Sequence, residues 1–284
     1  MNSNTTPRVA RRITSPAVAP PGIPLPTDVR RFQRIATTLR RPGRWPHANR
    51  QRSGEAPALA LTTDTSFHNI VTMTSGHGGV GLSVMASMLA WTLARREHSC
   101  ALIDADFVAG CLDLLLGVER EPGLRFSQVD APLGRIEGDA MNHELMMWEG
   151  VRVLPYDPWS ARQPDWWEVQ AAIRALAETN DVVIVDAGQG GLIETVPDLR
   201  SGMQVIAAEL SVMGWPEQVA PARLDSWGCE APHIVGVEPR GAPRGRGHVG
   251  IGEAQDYLTA TVLGPVKPSV NLCGDVLEAS ASDR

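Results

Sequence analysis

Ser75-Gly76-His77-Gly78-Gly79-Val80-Gly81-Leu82-Ser83 follows an apolar β-type run containing Ile70, Val71 and Met73, and it opens a helix-type run. A strand, a glycine-rich turn and a helix in that order form the setting of a phosphate-binding loop. Glycines at 76, 78, 79 and 81 lack the Cβ atoms that would keep backbone N–H groups from converging on an anion. The helix behind them points its positive end at the same place. Such a loop usually carries a lysine just before the Ser/Thr whose hydroxyl meets Mg²⁺; Leu82 stands there, before Ser83. A glycine-rich strand-to-helix turn without a ligand is the alternative reading.

Outward from this loop, from about Phe67, short apolar runs alternate with helix-length segments. That alternation predicts an α/β domain, a doubly wound and mostly parallel sheet with helices on both faces. Strands are expected at 69–74, 100–103, 151–154, 182–185, 203–208, 233–237 and 261–263, and helices at 82–96, 139–148, 165–179 and 252–260. Gly264-Pro265-Val266 reads as a turn. Two strands run into acids, one into Asp104-Ala105-Asp106 and one into Asp186-Ala187-Gly188-Gln189-Gly190. Right-handed crossovers bring such strand ends to the carboxyl edge of the sheet, where α/β ligands sit. The alternative for Asp104 and Asp106 is that they only cap the following helix. Trp159, Trp166 and Trp167 read as core or domain-edge packing, with a partner surface as the alternative.

Charge divides the chain into two parts. Eleven arginines against Asp28 and Glu55 give residues 1–60 a charge of +9, whereas the remaining 15 basic and 30 acidic side chains give −15. Residues 1–66 read as a disordered, Arg-rich arm ahead of a folded domain at 67–284. Within the arm, 28–41 places Val29, Phe32, Ile35, Ala36 and Leu39 on one helical face among arginines, and 42–66 reads as a linker. Such an arm suits an anionic membrane, a protein partner or DNA, with residues 28–52 as the contact, but a solvated arm helix is equally compatible. Cys100, Cys111, Cys229 and Cys273 show no metal or disulfide spacing, which predicts a reduced, cytoplasmic protein. No apolar run reaches the roughly 18 residues that a membrane span needs.

Three stretches together resemble the signatures of the MinD/ParA family of deviant P-loop ATPases. Residues 76–83 are similar to its G-K-G-G-V-G-K-[ST], with His77 and Leu82 in the lysine places. Asp104-Ala105-Asp106 followed by Leu112-Asp113-Leu114-Leu115-Leu116-Gly117 resembles its (I/V)DxD…LDxLLG, and Asp186 with Gly190 resembles its D-x-P-x-G, with Gly188 in place of the proline. Trp215-Pro216-Glu217 looks like its TPE helix start. The resemblance implies ATP and Mg²⁺ as cofactors, with Gly76, His77, Gly78, Gly79, Val80, Gly81, Leu82 and Ser83 at the nucleotide. It further implies Ser83, Asp104 and Asp186 on the Mg²⁺ side and Asp106 as the catalytic residue that orients or deprotonates the attacking water. Gly188 for proline implies a looser switch.

Many relatives carry Asn and a basic residue after the strand at 233–237, at the adenine; this chain reads Gly236-Val237-Glu238-Pro239-Arg240. The lysine-free loop and this departure are most similar to the actinobacterial CpaE/TadZ-like, septum-site-determining branch. A positioning protein for a Tad pilus, secretion or septum apparatus is implied, cytoplasmic and peripheral to the inner face of the membrane at a pole or septum. The implied partners are proteins of that apparatus and a second copy of the chain.

Losing both lysines predicts weak or absent ATP binding and at most weak ATPase activity. A charge-assisted bond to phosphate is worth roughly 1.5–3 kcal/mol, and an imidazole is mostly neutral at pH 7. An arginine from the arm, from residues 240–246 or from a dimer partner could replace the lysines, and two other readings follow: a slow Mg²⁺-dependent ATPase completed by an arginine in trans, and a ParA-like, sequence-independent DNA binder using the arm.

Overall fold

The computed structural model describes residues 67–159, 162–212, 227–228, 232–240 and 247–267. The arm, the helix expected at 28–41 and Trp215-Pro216-Glu217 lie outside the described residues.

The strands are β1 (Ile70–Ser75), β2 (Cys100–Asp104), β3 (Met146–Trp148), β4 (Val151–Leu154), β5 (Val182–Asp186), β6 (Met203–Glu209), β7 (His233–Val237) and β8 (Val262–Val266). They form one eight-stranded sheet in the order β3-β4-β2-β5-β1-β6-β7-β8. All pairings are parallel except β3 with β4. The described helices are α1 (Leu82–Ala94), α2 (Leu112–Leu116), α3 (Gly138–Glu144), α4 (Trp166–Thr179), α5 (Asp198–Ser201) and α6 (Ile251–Leu258).

The central strands β1, β2 and β5 are mostly apolar and buried along their whole length because helices cover both faces. Side chains alternate between two cores. Val71 and Met73 of β1, Leu102 of β2 and Ile184 of β5 pack on the α1 side with Met85 and Leu89. Ile70, Ile103, Val183 and Val185 face the opposite core with Ile173 and Leu176 of α4. Among the polar residues of β1, Thr72 is satisfied by donating to the carbonyl of Leu199 at 2.8 Å. Helix α4 starts where Asp165 and Glu168 cap each other, the Asp165 N–H donating to Glu168 Oε2 at 2.9 Å.

Two expectations need correction. The helix expected at 139–148 stops at Glu144, and Met146–Trp148 instead pair antiparallel with β4 as an edge strand. The intervening Glu149 (φ 48°) and Gly150 (φ 86°) both have positive φ, as a two-residue hairpin turn of the I′ type requires. Likewise, the expected turn at Gly264–Val266 lies within β8, which pairs with β7 across an irregularity between Val235 and Val237. A proline is tolerated there because β8 is the sheet edge. Trp159, Trp166 and Trp167 are 86%, 48% and 42% exposed, so they belong to the surface. Of the described cysteines, Cys100 is a buried thiol pushed up to about 12 by burial, and Cys111 is exposed; both are free. No helix among the described residues is long and apolar enough to cross a membrane.

Candidate functional site

Strand β1 lies between β5 and β6, so the glycine loop after β1 emerges beside the ends of both. The β5 segment is tied to it directly: the Ser75 N–H donates to the Gly188 carbonyl at 2.9 Å and the Ala187 N–H to the Met73 carbonyl at 2.9 Å. On the other flank, the Gly76 N–H donates to the Ala207 carbonyl at 3.4 Å. Gly79 (φ 82°) and Gly81 (φ 88°) take the left-handed conformation that the turn into α1 requires. Gly81 caps α1 without any side-chain hydrogen bond, and the first turn carries no acid. The first helical bond is Met85 N–H to the Gly81 carbonyl at 3.0 Å, which leaves earlier N–H groups of the turn available to an anion.

The two lysine replacements behave differently. Leu82 is 6% exposed and packs into the α1-side core with Val80 and Met85. His77 is half-buried, with Nδ1 2.9 Å from the Gly78 carbonyl of its own loop. Neither side chain supplies fixed positive charge. A guanidinium does approach: Nη2 of Arg240 lies 3.8 Å from where a Cβ on Gly81 would be. The amide nitrogen of Gln189 lies 4.0 Å from the corresponding point on Gly78.

Asp104, Asp106 and Asp186 meet at the ends of β2 and β5, where Asp104 and Asp186 are register partners. Asp104 is 1% exposed and uses both oxygens on backbone, accepting from Asp106 N–H at 3.2 Å and Leu112 N–H at 3.1 Å. It therefore does hold the start of α2. Burial, and then the Asp186 charge, push its carboxyl up to about 8. Asp106 accepts from the N–H groups of Val108 at 3.2 Å and Ala109 at 3.1 Å. Asp186 is raised by burial, against a hydrogen bond from the Ser83 hydroxyl and one from the Gly188 N–H at 3.1 Å. Its Oδ2 is buried with no hydrogen-bond partner.

That orphaned oxygen tests the fit of Mg²⁺. A buried, unpaired carboxylate oxygen beside a hydroxyl suits a hard cation bound through one or two protein oxygens. Among the described residues no three His, Cys, Asp or Glu side chains converge as a metal cage. An ion that keeps waters and phosphate oxygens as ligands does not need one. Ser83 and Asp186 are the side chains that could hold such an ion, with Asp104 the register partner of Asp186.

Two contacts were not legible in the motifs. A Cβ on Gly188 (φ 53°) would lie 2.5 Å from Cγ of Asp106, so the Asp106 carboxylate rests against the bare backbone of the switch. A Cβ on Gly190 (φ 78°) would lie 2.7 Å from the ring of Trp227, a buried indole that sequence reasoning missed because it sits in no motif. The first contact explains Gly188 itself. Its positive φ, its N–H bond to Asp186 and its contact with Asp106 are three things a proline cannot provide. The segment is thus in close contact with Asp106 at Gly188, where the sequence suggests a looser switch. A cleft of about 580 Å³ lined by Val212, His248, Val249, Glu253 and Tyr257 lies apart from this site, between the end of β6 and α6.

Residues 66–147 match a family model described as "ParA: NUBPL iron-transfer P-loop NTPase". The solved MinC:MinD cell division protein complex of Aquifex aeolicus superposes with a TM-score of 0.59 at 17% identity, covering 74% of this chain and 86% of that one. The fold is that of the ParA/MinD P-loop NTPases. By sequence, the chain is 26% identical over 125 residues to the septum site-determining protein MinD of Thermotoga maritima, covering 43% of this chain and 45% of that protein. It is 27% identical over 164 residues to a MinD of Tupiella akineta described as a putative septum site-determining protein, covering 56% and 53%. The chain thus spans about half the length of these curated relatives. In this ParA/MinD-type domain the loop, the D-x-D and the β5 aspartate converge on one edge.

Two outcomes follow from the site. Gly188→Pro, which would restore the family's D-x-P-x-G, is expected to destabilise the fold by about 3 kcal/mol or more, measured by urea unfolding; unchanged stability would refute the Asp106–Gly188 contact. Because the Asp104 carboxyl is raised in the folded state, that state holds a proton the unfolded chain releases near pH 4. Its stabilising contribution is present below the unfolded pKa and lost as pH rises towards about 8. Unfolding free energy in Mg²⁺-free buffer should therefore fall between pH 5 and 8 as roughly one proton is released, and less steeply in Asp104→Asn.

Proposed function

We propose that this chain is a MinD/ParA-type positioning protein whose nucleotide site binds Mg²⁺-ATP weakly and turns it over slowly, acting mainly as a landmark for a septum, pilus or secretion apparatus. The observation that carries the nucleotide part is the buried, unpaired Asp186 Oδ2 beside the Ser83 hydroxyl, at the foot of an open helix N-terminus. When bound, Mg²⁺ would neutralise charge on the transferred phosphoryl group and on these acids. Asp106 stands at the switch as the acceptor that orients the attacking water, and Gly79 to Ser83 offer the backbone cradle. Weak binding is supported by the absence of a loop lysine, with Leu82 committed to the core.

The positioning part is supported by the curated MinD relatives, which are septum site-determining proteins by name. The lysine-free loop and Glu238 in place of the adenine-site Asn favour the CpaE/TadZ-like branch. The exposed Trp166 and Trp167 supply apolar surface suited to a protein partner, and a homodimer fits the same reading. Residence in the cytoplasm, at the inner face of the membrane, belongs to this proposal.

Calorimetric titration of Mg²⁺-ATP into the full chain is expected to give binding about one to two powers of ten weaker than a lysine-bearing loop would. Slow hydrolysis should be abolished by Asp106→Ala with binding retained. No binding up to about 10 mM ATP, where a dissociation constant tenfold tighter would saturate the site, would overturn the nucleotide part and leave the fold as a scaffold alone. The +9 charge of residues 1–60 supports a second contact, with an anionic surface. Salt-sensitive binding to DNA or to anionic vesicles should disappear when residues 1–60 are deleted, and persistence after deletion would exclude the arm.

A further inference from the structure

The phosphate loop carries no lysine, and three carboxylates stand at its edge, so a bound polyphosphate needs positive charge from elsewhere. Side chains at the two lysine positions do not provide it. Leu82 lies in the core, and a carbonyl can only accept, so the His77 Nδ1 bonded to the Gly78 carbonyl carries the proton. In the neutral ring Nε2 is then an acceptor, the wrong polarity for phosphate.

Arg240 is different. It follows β7 by three residues, and β7 is separated from β1 by β6 alone. At about 4.8 Å per strand the gap is roughly 10 Å, and the chain end together with a long side chain closes it: Nη2 reaches 3.8 Å from the Cβ place on Gly81. Gly81 is the N-cap of α1, where the unpaired N–H groups begin. The guanidinium is exposed, and no hydrogen bond or ion pair engages it among the described residues. Three other cations face acids away from the loop: Arg125 faces Asp113 at 3.7 Å, Lys267 faces Glu238 at 3.9 Å, and Arg174 is bonded to Asp198 through Nη2 at 3.1 Å. Asp186, 1% exposed with Oδ2 unpaired, marks the same mouth as a ligand site from its floor.

We infer that Arg240 is the phosphate-binding cation of this loop, supplying in cis, from beyond β7, the charge that position 82 lacks, and that it grips the terminal phosphates of a Mg²⁺-nucleoside triphosphate. The inference rests on the nucleotide reading above. A guanidinium suits the task because its planar fork meets two phosphate oxygens at once and stays charged at any physiological pH.

The test is equilibrium binding of Mg²⁺-ATP to the full chain and to Arg240→Ala, Arg240→Lys, Leu82→Lys and the Leu82→Lys/Arg240→Ala double variant. Melting temperatures are measured alongside; Arg240 is exposed, and its removal should leave them unchanged. Arg240→Ala is expected to weaken binding about tenfold to a hundredfold, and Arg240→Lys to retain part of the affinity. In the Leu82→Lys background the loss should shrink to roughly threefold or less, because two groups that serve one role are not additive. Wild-type binding left unaltered by Arg240→Ala overturns the assignment of Arg240 alone. Failure of the wild type to bind at about 10 mM ATP, far above an ordinary nucleotide dissociation constant, overturns the nucleotide reading and this inference together.

Discussion

The parallel pairing of β1 between β5 and β6 is the constraint on which the site depends. Backbone hydrogen bonds on both sides fix where β1 ends, and the ladder continues past the strand as Ser75 N–H to Gly188 and Gly76 N–H to Ala207. The glycine loop is therefore suspended between two neighbours. Of its own side chains, Val80 and Leu82 anchor it in the core, and the rest contribute little to holding it. That division of labour allows both lysine positions to change identity while the loop keeps its shape, since shape here comes from main-chain pairing and left-handed glycines.

The acids illustrate the opposite economy. Placing Asp104 and Asp186 at the end of adjacent buried strands sets two carboxylates side by side in a dry environment, and burial raises both. Asp104 offsets this with two backbone N–H bonds and thereby anchors α2. Asp186 takes the Gly188 N–H on Oδ1 and has the Ser83 hydroxyl nearby, while Oδ2 has no hydrogen-bond partner. A fold that wanted only a helix cap would have no use for the second acid. The asymmetry leaves Asp104 satisfied by backbone and Asp186 with one buried oxygen unpartnered, the feature on which the proposed cation site rests.

Much of this was legible in the sequence. The apolar runs of β1, β2, β5, β6 and β7 and the acids at their ends are continuous signals that long-range packing merely confirms. The β3–β4 hairpin was not, because Met141, Leu145, Met146 and Trp148 also fit a helical period and the turn uses Glu149, where asparagine or aspartate would have advertised it. β8 was hidden by Gly264-Pro265, which signals a turn unless the strand is known to be an edge. At the site, motif spacing located the loop and the aspartates. It could not reveal that Gly188 is required by the carboxylate of Asp106, since that constraint comes from a side chain distant in sequence.

The buried ring of Trp227 occupies the space that a side chain on Gly190 would fill. The segment after β5 is consequently meshed with a part of the chain that follows β6, as one gear tooth with another. Any displacement of 186–191 towards Trp227 would meet the indole, so the ring is a stop on that side of the segment, and its emission would report such an approach.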